Sequence, residues 1–596
     1  MTRYATPVED MRFALDYVAD FAGIQALPGY AEVTNDLVTA ILEQAGRFGV
    51  DVLAPLNQSG DQEGAVFEAG TVRMPEGFTD AYRQFVEGGW NSLPFTHEFG
   101  GQALPWVLHT AVQEIWHATN MSFGLCPMLT QNAVELLLAH ASAAHKALFL
   151  PRLVSGEWTG SMDLTESQAG SDLSRIQTRA IPLAGQPGTY RLIGQKIFIT
   201  YGEHDMAENI IHLVLARIPD APAGLKGISL FIVPKFLIAA DGSLDRRNDI
   251  WCSALEHKLG IRASPTAAMS LGDDDGAIGY LVGRAYCGLE YMFTMMNHAR
   301  LSVGLEGVAL AERAYQQARD YARERIQGRA LQFGSSPESV SIIHHPDVRR
   351  MLMTMKALTE ATRAVAYYTA AQIDMTRYHP DQEVRSTAES RVALLTPIVK
   401  AWSTDVGIEV ANLGIQVHGG TGFIETTGAT QHLRDARIAA IYEGTNGIQA
   451  HDLVSRKVLR DRGAATRQMI DEIHAAISAL AMTGGAVQSL QTGLQKAGAA
   501  LEQATAWLVA KDDSVTAQAG AVPYLHLFGL TLGGFVFAKA ALAATRLSAT
   551  GEKPFLQTKL MTARFYAERL LPQTEGLLSA VTAGAESVMA VPEEAF

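Results

Sequence analysis

The chain has 596 residues, 62 acidic against 48 basic side chains, and a formal net charge of -14. With 48% hydrophobic residues it can bury a large core in three or four structural units, and its acidic balance argues against a nucleic-acid or anionic-membrane binder, which needs a basic footprint. Cys126, Cys252 and Cys287 are too scattered for a disulfide framework or a metal cluster, which fits a reducing, cytoplasmic compartment and thiols packed in the core.

In chain order, the first 21 residues mix acids into their apolar positions and have no basic head before a hydrophobic block, so no signal peptide is expected. Residues 1–160 show helical apolar spacing, as at Val33, Leu37, Ala40, Ile41 and Ala45, broken by a Gly/Pro-rich stretch around 59–78. Over 161–285 the pattern becomes short β-rich runs, among them Tyr190–Ile193, Lys196–Thr200, Ile210–Leu215 and Gly227–Val233, separated by Gly, Pro and Asp clusters. Long helices return over 286–460, beginning with Leu289–Arg325, and 461–596 is Ala/Leu-rich and helical again. The fold class is therefore mainly α with a central β domain. The strongest apolar run, Leu527–Ala538, is too short to span a bilayer, so it predicts a buried helix and no integral membrane segment.

Several stretches carry chemistry. The turn Leu164–Asp172 clusters hydroxyls around Gly170, so Thr165 and Ser171 can donate to a polar ligand that the backbone approaches closely; an ordinary loop has the same composition. In Gln195–Gly202, Phe198 and Thr200 are two apart and share one strand face, which suits a flat heteroaromatic ring with polar edges as well as it suits a packed Phe beside a surface Thr. Asn297 and Arg300 are helical neighbours, with Gly304 and Gly307 on nearly the same stripe, outlining a shallow polar groove. Arg325 lies about 37 Å further along an ideal helix, where it could serve a second anion. Gln416–Gly422 is a glycine-rich bend able to cradle a phosphate, with His418 a structural histidine more simply than a ligand. Met121, Met128, Met292, Met295 and Met296 offer either a soft thioether pocket or core packing.

In Ile441–Gln449 one carboxylate, Glu443, sits in a Gly- and Asn-rich bend just before a helix. Backbone N–H groups at a helix entrance can hold it while it reaches into a cleft as a general base; capping and dipole stabilisation is the alternative.

Taken in order and spacing, TESQAGSD, KIFITYG, NHAR, YARER, QVHGGTG and YEGTNGIQ resemble the acyl-CoA dehydrogenase family over roughly residues 35–460. The resemblance implies an N-terminal helical domain with an extension (1–160), a middle β domain (161–285), a C-terminal four-helix bundle (286–460) and FAD lodged between sheet and helices. The additional helical domain (461–596) resembles the large branch of about 600 residues, which includes bacterial 3-methylthiopropanoyl-CoA dehydrogenases and broad-chain-length relatives. Glu443 matches the family's base. Thr165, Ser171, Phe198 and Thr200 match flavin contacts, with Ser171 also near the acyl-CoA, and Thr445 and Gly447 match flavin contacts after the base. Arg300 matches a residue near the CoA portion, and Asn297 stands where some members carry Asp. Arg325, Gln416, Gly419 and Gly420 match positions reaching the FAD of a neighbouring subunit, which implies a homodimer.

Some branches place their base just before the helix arginine, and here that residue is Ala299. The implied reaction converts a saturated acyl-CoA to a trans-2-enoyl-CoA, with electron-transfer flavoprotein as acceptor. Two alternatives share the scaffold: an acyl-CoA oxidase, and a flavin-bearing DNA-associated protein of the alkylation-response type. The latter wants a basic C-terminal domain, whereas charges after residue 460 are about balanced. Peripheral membrane attachment wants a strongly basic amphipathic stretch, and none stands out.

Overall fold

The computed structural model describes residues 4–239, 241–329, 338–511, 513–549, 551 and 553–596; the start of the segment read above for a signal peptide lies outside the described residues. The chain packs as two compact units rather than as consecutive segments. One takes residues up to Gly46, Pro105–Ala118 and Arg300–Phe596; the other takes Arg47–Leu104 and Thr119–Ala299.

The second unit holds an eight-stranded sheet: β1 (Trp158–Asp163), β2 (Arg179–Pro182), β3 (Thr189–Thr200), β4 (Asn209–Arg217), β5 (Ile228–Pro234), β6 (Ile250–Leu255), β7 (Thr266–Leu271) and β8 (Ala277–Leu281). Their order is β6-β7-β3-β8-β5-β4-β1, with β2 on the side of β3; β1 runs parallel to β4. The apolar runs Ile210–Ala216 and Ile228–Val233 are buried throughout, as a strand covered on both faces requires. Leu192, Val214, Phe231, Val233 and Met269 anchor the core.

The two runs predicted at 190–193 and 196–200 are one strand, β3, pairing first with β8 and then with β7. A bulge interrupts its alternation: Ile199 faces Ala267 and Lys196 faces Met269, so β3 spends one residue more than β7 there. Phe198 takes a positive φ of 60° at this point. The bulge turns Lys196 and Ile199 inward and leaves Phe198 58% exposed.

Lys196 then meets Glu166 at 2.8 Å, and both are buried. Glu166 also accepts from the N–H groups of Gln177 and Thr178 and from the Thr178 hydroxyl, while Lys196 donates to the Leu164 carbonyl. This pair fastens the Leu164–Asp172 loop to the sheet.

In the first unit, Pro346–Tyr378 and Gln382–His418 form an antiparallel helix pair. Pro380 cannot continue the first helix, and Asp381 caps the second by accepting from Glu383 N–H at 2.8 Å. The Gln382–His418 helix crosses Gly288–Glu324 at backbone contact: a Cβ on Gly307 would lie 2.2 Å from the Ser403 carbonyl oxygen, and one on Gly304 would meet Val399 at 2.7 Å. Gly304 and Gly307 therefore make a helix crossing, not the polar groove expected from sequence.

Four other expectations change. The Asn35–Phe48 helix buries Val38, Leu42, Ala45 and Gly46 while Leu37 is 40% exposed, because its apolar stripe runs one residue off the predicted one. The stretch around 59–78 holds the end of the Pro55–Glu63 helix and a hairpin, Val66–Glu68 with Thr71–Arg73, turned at Ala69-Gly70. The apolar run at 527–538 belongs to a longer helix, Ala521–Ser548; by length and composition it could cross a membrane, but 89% of its most apolar window is buried in the fold. Cys126 and Cys252 are buried, whereas Cys287 is only partly so.

Buried charges join the chain's ends in this unit. Arg363 pairs with Glu114, Glu312 and Asp10, and Lys559 bridges Asp10 and Glu360. The N-terminal helix Val8–Tyr17 and the additional helix Pro554–Arg569 thus share one ionic cluster with Pro346–Tyr378.

The Lys196→Met substitution leaves the buried Glu166 carboxylate without its cation and should cost about 3–5 kcal/mol. Thermal unfolding should show a clearly lowered transition temperature; an unchanged one would mean that the pair contributes nothing to the β unit.

Candidate active site

Helix Ala429–Ala439 ends in a tight loop whose neck closes when Asn446 N–H donates to the Ala440 carbonyl at 3.1 Å. Within the loop Glu443 and Gly444 both lie in the left-handed region, at φ 56° and 84°. For a non-glycine residue this conformation costs on the order of 1–3 kcal/mol and persists only where the surroundings over-determine it.

Those surroundings are specific. The Lys400 ammonium donates to the Gly444 carbonyl at 2.8 Å and to Asn446 Oδ1 at 2.9 Å. Asn446 Nδ2 in turn donates to the Ala401 carbonyl, Thr404 Oγ1 and Asp405 Oδ1. Gln449 Nε2 donates to the Glu443 carbonyl at 3.2 Å, with a longer contact from Arg300 Nε at 3.4 Å. From the other side Tyr442 donates its hydroxyl to Glu306 Oε2 at 2.5 Å.

The helix entrance differs from the sequence expectation. Thr445 caps the helix Asn446–Asp452, accepting from Ile448 N–H at 3.2 Å, and its carbonyl takes Gln449 N–H. The N–H groups of Asn446, Ile448 and Gln449 are thus satisfied without Glu443, and Thr445 holds the cap position, so capping does not explain this carboxylate. Glu443 is half-buried, and desolvation pushes its carboxyl up to about 7 against the opposing pull of Arg300 and Lys400. Burial likewise lowers Lys400 to about 8 despite the nearby Glu443, Glu306 and Asp405. A carboxyl titrating near 7 can accept a proton from a weak acid at neutral pH.

Other predicted residues are placed as follows. Arg300 is buried, 7% exposed, beside the Glu443 backbone, whereas Asn297, on the same helix, is exposed. Thr445 spends its oxygen on the cap but keeps a hydroxyl hydrogen to donate, and Gly447 is exposed in the first turn. In the β unit, Ile197 N–H donates to the Thr165 carbonyl at 2.9 Å, so the start of the Leu164–Asp172 loop lies along β3 next to Phe198 and Thr200. Ser171 is exposed further along that loop, and a Cβ on Gly170 would meet nothing within 4 Å. An exposed aromatic ring, neighbouring hydroxyls and open backbone fit a flat heteroaromatic cofactor with polar edges.

A second cluster forms at the far end of the Gln382–His418 helix. Tyr321 stacks on His418 with ring centroids 4.4 Å apart, pinning two helix ends together. Arg325 sits just past the end of Gly288–Glu324, and Gln416, Gly419 and Gly420 are exposed at the other end. Gly419 has φ 61°, a conformation that favours glycine, and a Cβ on either glycine would meet open space. Lys400 and Gln416 are 16 residues apart, which is about 24 Å along the helix, so the two clusters are distinct. His418 is structural, with Nδ1 on the Gly414 carbonyl at 2.7 Å.

Sequence reasoning missed Lys400, Glu306 and the anchoring role of Tyr442. The signal available was a single charge inside an apolar run, as in Pro397-Ile-Val-Lys-Ala-Trp402 and Val303-Gly-Leu-Glu-Gly-Val308.

Residues 35–157, 161–273 and 287–458 match the family models for the acyl-CoA dehydrogenase N-terminal, middle and C-terminal domains, and 469–592 match one described as acetyl-CoA dehydrogenase C-terminal like. The chain is 48% identical to a 3-methylmercaptopropionyl-CoA dehydrogenase of Ruegeria pomeroyi, over 98% of this chain and 99% of that protein. It is 33% identical to a butyryl-CoA dehydrogenase of Syntrophomonas wolfei, over 100% and 99% of the two chains. The crystal structure of a Bacillus anthracis acyl-CoA dehydrogenase complexed with FAD superposes with a TM-score of 0.74 at 20% identity, covering 94% of this chain and 90% of that one. The chain belongs to the acyl-CoA dehydrogenase family of FAD-dependent oxidoreductases.

Proposed function

We propose that this enzyme oxidises a saturated acyl-CoA to its trans-2-enoyl-CoA with Glu443 as the base, and that 3-methylthiopropanoyl-CoA is its preferred substrate. The observation that carries the base assignment is a half-buried carboxyl near pKa 7, held in a left-handed loop and unneeded as a helix cap. The substrate assignment rests on the Ruegeria relative, whose name specifies the same acyl group.

An α-proton beside a thioester is weakly acidic, so the base must be desolvated and the developing enolate stabilised. Glu443 takes that proton. The loop grip fixes where its carboxylate stands, and Arg300 and Lys400 supply nearby positive charge. Bound FAD supplies the two-electron acceptor for the β-hydride. Thr165, Ser171, Phe198 and Thr200 are the residues to hold its flavin, with Thr445 and Gly447 beside the base. Ser171, Asn297 and Arg300 serve the acyl-CoA. The family resemblance implies a homodimer in which Arg325, Gln416, Gly419 and Gly420 complete a neighbour's cofactor site. Electron-transfer flavoprotein is the acceptor that the family resemblance implies.

The protein should purify as a yellow homodimer with near-equimolar FAD, and Arg325→Ala should weaken FAD binding about tenfold or more, the usual weight of a charge-assisted contact. Light scattering that finds a monomer with full FAD content would contradict the shared site.

Because the base form of Glu443 prevails only above about 7, flavin reduction by acyl-CoA should quicken as pH rises through that value. Glu443→Gln should keep its FAD and slow reduction by at least about 10²- to 10⁴-fold. Anaerobic stopped-flow at the flavin band tests both; reduction by this variant at more than about a tenth of the wild-type rate, a loss below the usual general-base effect, would remove Glu443 as the base.

A further inference from the structure

Glu306 is a second carboxyl beside the catalytic loop that the reaction above does not use. It lies on Gly288–Glu324 with 0% exposure. One oxygen, Oε2, takes the Tyr442 hydroxyl at 2.5 Å; the other, Oε1, is buried without a hydrogen-bond partner. The titratable groups acting on it are Tyr442 and Glu443 from the loop and Lys400 from the helix across the Gly307 crossing. Lys400 is the only cation among them, and it is committed to Gly444 and Asn446.

A carboxylate left with one bare oxygen and no directly paired cation is among the most costly groups to bury, and such a group takes a proton instead. Desolvation pushes Glu306 up to about 8, outweighing the lowering by Tyr442 and Lys400, and Glu443 adds to the rise.

We propose that Glu306 is a positioning residue for the base: a buried neutral carboxylic acid that holds Tyr442, and with it the left-handed Glu443, while sparing Glu443 a second negative charge. The proposal rests on Glu443 being the base. Its consequence is pH-dependent. Once Glu306 ionises, two carboxylates share one small space, and Glu443 is held protonated to higher pH than it would be alone. The alkaline part of the rate profile then belongs to the pair. Replacing Glu306 with Gln keeps an acceptor for Tyr442 and removes the ionisation; Leu removes both.

Two measurements on FAD-loaded enzyme test this. The first is the infrared difference spectrum between Glu443→Gln and Glu443→Gln/Glu306→Gln as a function of pH. A protonated-carboxyl C=O band present in the single variant, absent in the double, and disappearing as pH rises toward about 8, earlier than in wild type because the Glu443 charge is gone, is the expected result. No such band would mean that Glu306 is ionised, and the proposal falls. This readout does not depend on which residue is the base, so it stands apart from the activity of Glu443→Gln.

The second is the pH profile of flavin reduction. Wild type should rise in a broadened curve, and Glu306→Gln in a narrower one near 7; losing Glu306 also lowers Lys400, whose charge it supports, so the alkaline end of the Gln profile shifts with it. Glu306→Leu should slow reduction about tenfold, the weight of one lost hydrogen bond, with KM changed much less than kcat. Superimposable profiles for wild type and Glu306→Gln would overturn the coupling. If the Gln variant loses its FAD, the infrared titration of the Glu443→Gln single variant still decides whether a buried acid is present and releases its proton as pH rises.

Discussion

The Lys400 ammonium is the fixed point of the site. It binds the Gly444 carbonyl and Asn446 Oδ1 at once, and Asn446 passes that grip to Ala401, Thr404 and Asp405 of the same helix. Through the Gly444 carbonyl it ties Gln382–His418 to the loop in which Glu443, a non-glycine residue, is left-handed. The glycine crossing at Gly307 is what lets the two long helices come close enough for Lys400 and Glu306 to attend the same loop. Backbone strain at Glu443 is therefore held by side-chain hydrogen bonds, which in turn depend on a backbone-to-backbone helix contact.

The same logic of a charge placed where the chain must be fixed recurs elsewhere. Glu166 and Lys196 fasten the Leu164–Asp172 loop to β3, and Lys559 with Arg363 joins both termini to the bundle through Asp10. Such pairs add little net stability over apolar residues of the same volume, but removing one partner is costly. Their value lies in geometry: each fixes the segments it joins relative to one another.

The helix–sheet–helix order and the motif residues were legible because they follow from periodicity and local composition. Glu443, Phe198 and the Gly419-Gly420 bend stand in stretches with no simpler local reading once taken together. The bulge at Phe198 was not legible, since a run such as Lys196–Thr200 alternates on paper and only the pairing with β7 reveals the extra residue. Nor was the use of Gly304 and Gly307: a small-residue stripe reads equally as a groove or as a crossing until the partner helix is present. Lys400 and Glu306 were hidden for a related reason. A buried charge takes its meaning from partners more than 40 residues away, such as Gly444 for Lys400 and Tyr442 for Glu306.

The central claim is that residue 443 is held where the substrate's α-proton must leave. A crystal structure of the Glu443→Gln enzyme with FAD and a saturated acyl-CoA measures this directly. The account predicts the residue 443 side chain about 3–3.5 Å from the substrate α-carbon, with the 442–446 loop still seated on Lys400. A structure in which residue 443 turns away and another carboxylate stands against the α-carbon would contradict it.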